Sequence, residues 1–148
     1  MSMFTSFDIN ASGLTAERYR MDIISENVAN ANTTRTKDGT PYVRKVVTFA
    51  EKDGQTPFSK VMNSQLDRYT GKGVKVSGVH EDTVTEMNMV YDPSHPDADE
   101  NGYVTYPNVN IITEMTNLID ASRAYEANAT AFGASKSMAL KGLSLGNS

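Results

Sequence analysis

The residues best placed to do chemistry lie in one acidic stretch. Asp97-Ala98-Asp99-Glu100-Asn101-Gly102 matches the opening of an EF-hand calcium loop, where spaced carboxylates and a glycine turn wrap a cation that takes ~6–8 oxygens. The closing position of such a loop supplies a bidentate Glu; here it is Asn108, behind Pro107, and no helix enters the loop. The expectation is an acidic Asn-Gly turn between strands, with a small calcium-binding module as the alternative from a different class. Ser94, His95 and Asp97 are the residue types of a hydrolytic triad, but near-adjacent residues cannot converge on one reacting atom. Gly71-Lys72-Gly73 precedes a strand pattern rather than a helix, so it reads as a turn and not as a phosphate cradle. There is no cysteine, and His80 and His95 are the only histidines. That excludes thiol nucleophiles, disulfides and cysteine-ligated zinc. No catalytic residue, metal or cofactor is expected, and the chain does not read as an enzyme.

The remaining chemistry is hydrogen bonding. Asn27-Val28-Ala29-Asn30-Ala31-Asn32-Thr33-Thr34-Arg35 holds more amides and hydroxyls than a helix terminus needs, although such residues do suit helix ends. At helical spacing Asn27, Ala31 and Thr34 share one face, where small and amide side chains permit close, hydrogen-bonded approach of another helix.

Two long helices must position these groups. All five prolines and six of the ten glycines fall between residues 39 and 107, whereas Leu14–Asp38 and Asn108–Phe132 contain neither; both residue types break helices. Phe7, Leu14, Met21 and Val28 recur at seven-residue spacing, with Asp8 or Ser12 available as a cap. Ile111, Met115, Leu118, Ser122, Tyr125, Ala129, Phe132, Lys136, Ala139 and Leu143 step by four and three. This period favours a partner helix in a left-handed supercoil, with Ser122 and Lys136 as flaws in the seam. The middle reads as short strands over Tyr42–Phe49, Val74–Val79, Val84–Tyr91 and Tyr103–Tyr106. The predicted class is α+β: two long terminal helices forming an antiparallel, coiled-coil-like hairpin, with a small β-rich insert. Residues 1–38 and 108–148 would form one discontinuous helical domain, and 39–107 the insert, with a variable loop at about 53–70.

Charge narrows the partners. The formal net charge is −4 and the sequence pI about 5.1, the opposite of a nucleic-acid binder. Glu81–Glu100 carries the acids Glu81, Asp82, Glu86, Asp92, Asp97, Asp99 and Glu100 with no Lys or Arg. No apolar run approaches the ~18 residues of a membrane span.

Several blocks are recognisable as a family pattern. Ala11-Ser12-Gly13-Leu14-Thr15-Ala16, Arg18-Tyr19-Arg20-Met21-Asp22 and the Asn27–Thr34 run resemble the N-terminal signature of bacterial flagellar rod proteins, within the axial family of rod and hook subunits. Val90-Tyr91-Asp92-Pro93, Gly102-Tyr103-Val104, Tyr106-Pro107-Asn108-Val109-Asn110, Glu114-Met115 and Ser122-Arg123-Ala124-Tyr125-Glu126-Ala127-Asn128 resemble, more narrowly, the proximal rod members of that family. The resemblance implies a structural subunit of the basal-body rod, exported by the flagellar type III apparatus without a cleaved signal. It would assemble helically, beyond the inner membrane, into the shaft that transmits torque. Implied partners are further copies of the chain, other proximal rod proteins, the distal rod, and the junction of the MS ring and export gate. Another axial paralogue is the alternative within the class. On this reading Asn27, Asn30, Asn32, Thr33, Thr34, Pro107, Asn108, Asn110, Arg123, Glu126 and Asn128 are expected at subunit contacts. Phe7, Leu14, Met21, Val28, Ile111, Met115, Leu118, Tyr125 and Phe132 are expected to form the helical seam.

Overall fold

The computed structural model describes residues 3–52 and 72–146, so the expected variable loop at 53–70 lies outside the described residues. Helix α1 spans Met3–Ala29, strands β1 to β4 span Lys45–Glu51, Val74–Glu81, Asn88–Tyr91 and Tyr103–Tyr106, and helix α2 spans Ile111–Gly146. Strands β1 and β2 form one two-stranded sheet and β3 and β4 another. Two long helices with a small β insert between them are the α+β class that the distribution of glycine and proline predicts.

The element boundaries differ from the pattern where side chains capture the backbone. Helix α1 starts at Met3, which leaves Asp8 and Ser12 inside it rather than at a cap. Ser12 instead donates to the Ile9 carbonyl at 2.7 Å and accepts the Val74 N–H at 3.0 Å. Strand β1 begins three residues late because the Tyr42 N–H donates to the Thr33 carbonyl and the Arg44 N–H to Asn108 Oδ1. Strand β3 is cut to Asn88–Tyr91 because the Asp82 carboxylate accepts the N–H groups of Val84 and Thr85, folding that stretch into a turn.

Two compact units divide the chain: Met1–Arg18, Phe49–Ser77 and Ser122–Ser148 form one, and Tyr19–Thr48 and Gly78–Ala121 the other. In the first unit the helices run antiparallel. The Phe7 and Phe132 rings meet edge to face at 5.0 Å, and the Ser6 and Ser135 hydroxyls lie 3.1 Å apart. Gly13 faces Asn128 so closely that a Cβ on Gly13 would sit 2.9 Å from Asn128 Oδ1. Gly13 lets the backbones approach where a larger side chain would hold them apart. Strand β2 is tied to α1 through Ser12, beside Gly73, whose φ of 86° is one that side chains with a Cβ rarely adopt.

In the second unit the buried apolar residues include Ile24, Ala31, Tyr42, Val104 and Ala121. Here the Asp82 N–H donates to the Arg44 carbonyl and the Thr48 hydroxyl to the Gly78 carbonyl, an antiparallel pairing. Strands β3 and β4 pair antiparallel with Asn88 opposite Tyr106 and Tyr91 opposite Tyr103. Gly102, at φ 81°, closes their connection against the Tyr91 ring.

Replacing Gly73 with Ala forces a Cβ against the Ser12 hydroxyl and strains a positive φ. The expected cost is about 1–3 kcal/mol, read as a lower denaturant midpoint with unchanged slope.

Candidate functional site

The candidate site is built from buried hydrogen bonds rather than from a reactive cleft, and its centre lies in the second unit. Glu114, in the first turn of α2, is 1% exposed although it sits within the apolar row that includes Ile111 and Leu118. A carboxylate enclosed in that way is tolerable only with charged and hydrogen-bonding partners. Arg44 supplies them from the segment preceding β1: its Nε and Nη2 donate to Glu114 Oε1 at 2.9 and 2.7 Å. The other oxygen, Oε2, accepts Asn27 Nδ2 at 2.9 Å.

Asn27, also 1% exposed, has its amide fully engaged. Its Nδ2 donates a second time, to the Lys45 carbonyl at 2.8 Å, while Oδ1 accepts the Lys45 N–H and the Tyr42 hydroxyl, each at 2.9 Å. An asparagine read by both backbone groups of one strand residue acts as a short extension of the ladder, pinning α1 to β1. Asn108 works likewise: Oδ1 accepts the Arg44 N–H at 2.9 Å, and Nδ2 donates to the carbonyls of Asp82 and Thr85 at 2.7 and 3.1 Å. Arg44 Nη1 also reaches Asp82 at 3.3 Å.

The electrostatics follow from this packing. Burial pushes the Tyr42 hydroxyl up to about 12, with Glu26 and Glu114 adding to the effect. Burial is also the largest influence on Arg44 and opposes its charge, but Glu114 and then Asp82 outweigh it and raise its pKa. The Thr85 N–H and hydroxyl hold the Asp82 carboxyl below its ordinary value, as the Ser94 hydroxyl and N–H do for Asp92.

The other sequence-marked residues divide between internal and outward positions. Asn110 caps α2, its Oδ1 accepting the N–H groups of Ile112 and Thr113. Asn30 donates to the Glu26 carbonyl and accepts from Thr33, and Thr34 donates to Asp97 at 2.8 Å. Pro107 is buried, and Asn128 donates to the Ala124 carbonyl while covering Gly13. Asn32, Arg123 and Glu126 are exposed. Thus Asn27, Asn108 and Asn128, expected at contacts between subunits, hold segments of their own chain together here. Along the expected seam, Phe7, Leu14, Met21, Val28, Leu118, Tyr125 and Phe132 are partly covered, whereas Ile111 and Met115 are exposed. Ile111, Ile112, Met115 and Ile119 lie on one helical face of α2, and Ile112 is 79% exposed. Sequence reasoning overlooked Tyr42, Arg44, Asp82 and Glu114 as a network; the available signal was an acid inside the apolar row of α2 with an arginine heading a valine-rich strand.

The acidic motif forms the β3–β4 connection. Asp97 is taken by Thr34 and Arg35, and Asp99 Oδ1 accepts the N–H groups of Asn101 and Tyr103. These carboxylates shape a turn, which disfavours the calcium-module alternative. Among the described residues, no cluster of three or more His, Cys, Asp or Glu is disposed to hold a metal ion, and no helix is long and apolar enough to cross a membrane.

Asn27→Leu leaves the Tyr42 hydroxyl and both backbone groups of Lys45 without their partner, and should cost about 3 kcal/mol or more in chemical unfolding. Because the folded Tyr42 pKa lies above its ordinary 10.0, the stability it contributes is complete below pH 10 and is lost as pH rises toward 12. Tyr42→Phe should cost about 1 kcal/mol at neutral pH and flatten the alkaline limb of unfolding free energy against pH.

The family model described as "Flagella basal body rod protein" matches residues 7–37, and "Flagellar basal body rod FlgEFG protein C-terminal" matches residues 100–145. The chain is 46% identical to the flagellar basal-body rod protein FlgC of Bacillus subtilis (strain 168), with 99% of each chain covered. It is 44% identical to the protein of that name in Borreliella burgdorferi, with 93% of each covered, and 40% identical to the one in Salmonella typhimurium, with 99% of each covered. With two long helices bracketing a β insert, and identity of this level over nearly its whole length, the chain belongs to the FlgC family of flagellar basal-body rod proteins, structural components of the basal body.

Proposed function

We propose that this rod subunit occupies the proximal part of the rod and assembles helically there with further copies of itself and other proximal rod proteins. It meets the distal rod on one side and the junction of the MS ring and export gate on the other. It reaches that position by type III export and transmits torque once assembled. Residues 1–38 and 108–148 serve as the helical part that packs against neighbours, and 39–107 as the insert outside it. The family resemblance supports the partners and the export route.

One observation carries the assembly reading: the uncovered apolar face of α2 formed by Ile111, Ile112, Met115 and Ile119. Contiguous exposed apolar surface of this kind marks an interaction site. Asn32, Arg123 and Glu126, exposed in this structure, are among the polar residues available for such contacts. Ion pairs at the rim of an interface add only about 0–1 kcal/mol each, so the apolar face supplies most of the contact energy.

Met115→Asp and Ile119→Asp should leave the circular dichroism spectrum and thermal midpoint of the isolated chain unchanged, since both side chains are more than half exposed. In cells carrying either variant as the sole copy, swimming and recovery of the chain in purified basal bodies should both fall at least tenfold. Normal swimming with either variant would remove this face from the assembly surface.

A further inference from the structure

Two features of α2 fit one another but lie in different units of the same chain. The first is a groove of about 570 Å³ beside the start of the helix, lined by Pro107, Val109, Ile111 and Ile112 together with Thr85, Glu86 and three asparagines, with no Lys or Arg among its lining residues. The second is the far end of α2. The Phe7–Phe132 and Ser6–Ser135 contacts are followed by Lys136–Leu145, where every residue except Ala139 is exposed. Met138, Leu140 and Leu143 stand out of this segment, with Leu143 68% exposed, and its only charges are Lys136 and Lys141.

We propose that the last turns of α2 from a second copy of this chain seat in the groove at the start of α2, joining copies head to tail. The inference rests on the rod reading above and names the contact within it. Three physical arguments select this occupant. The groove combines the apolar Pro107, Val109, Ile111 and Ile112 with a single charge, Glu86, and the helix end combines apolar side chains with Lys136 and Lys141, so both the apolar surfaces and the charges are complementary. The macrodipoles align: the carbonyl end of one α2 meets the N–H end of the next, an attraction that a start-to-start or end-to-end contact would turn into repulsion. The two surfaces are unlike, so the contact is heterologous and repeats without closing, as a shaft requires. A helix laid into an apolar groove is a common mode of recognition.

The absence of cysteine makes the test unambiguous. Ile112→Cys and Leu143→Cys change exposed side chains and should leave folding intact. Two differently tagged copies, one carrying each substitution, are expressed together in cells lacking the native gene, and basal bodies are purified and oxidised. The mixed disulfide should exceed either same-site disulfide at least tenfold. Same-site disulfides equal to or above the mixed one would overturn the proposal, as would its absence from basal bodies that contain both tagged copies, including the case where another rod protein covers the groove. Failure of the tagged chain to enter basal bodies at all would overturn the rod reading and this inference together. As a second arm, Leu143→Asp should abolish entry while Leu143→Met retains it; equal entry of both would also overturn the proposal.

Discussion

A buried carboxylate governs the second unit. Glu114 places a carboxylate at helical spacing from Ile111 and Leu118, 1% exposed, and an unpaired charge there would cost several kcal/mol. Each partner that answers it recruits another segment. Arg44 brings the start of β1 and reaches on to Asp82, while Asn27 brings the end of α1 and grips Lys45. Asn108 then fixes the approach to α2 by holding the Arg44 N–H and two carbonyls of the 82–85 turn. Slipping any of these segments by one residue would leave several buried polar groups unmatched at once. The network therefore contributes mainly to register, since the low dielectric that strengthens satisfied hydrogen bonds also penalises broken ones.

The first unit solves helix pairing in another way. Gly13 lets the helices come close against Asn128, with the Phe7–Phe132 ring pair and the Ser6–Ser135 hydroxyls between them. Small contacts of this kind bury little apolar area per residue, which at ~25 cal/mol per Å² gives modest stabilisation. Larger apolar residues, including Met138, Leu140 and Leu143, remain outside. A family of subunits that build a shaft has reason to keep such side chains for contacts beyond the single chain.

Several features were legible in the sequence because they depend on local chemistry. The crowding of glycine and proline into the middle announced two helices and an insert, and Tyr103–Tyr106 is a strand with the bounds its alternation predicts. The acidic run was readable as a turn because Asp and Asn capture nearby N–H groups. The role of Asn27 was not legible. A buried amide facing a helix presents the same residue pattern whether the other side belongs to the same chain or to a neighbour. Likewise a heptad-like row places Ile111, Met115, Leu118 and Tyr125 together, but only the fold distinguishes the part covered by the chain from the part turned outward. Ser12 resembles a cap by type, yet its hydroxyl is needed in mid-helix to receive the Val74 N–H.

The hydrogen bonds that define the fold also join very distant positions: Ser6 and Ser135 are 129 residues apart, and Asn27 and Glu114 are 87 apart. Closing loops of that size delays the favourable contacts until the entropic cost of bringing the ends together has been met. During synthesis α1 is made well before any residue of α2 exists to receive it. The contacts between α1 and α2 can therefore form only after α2 has been made.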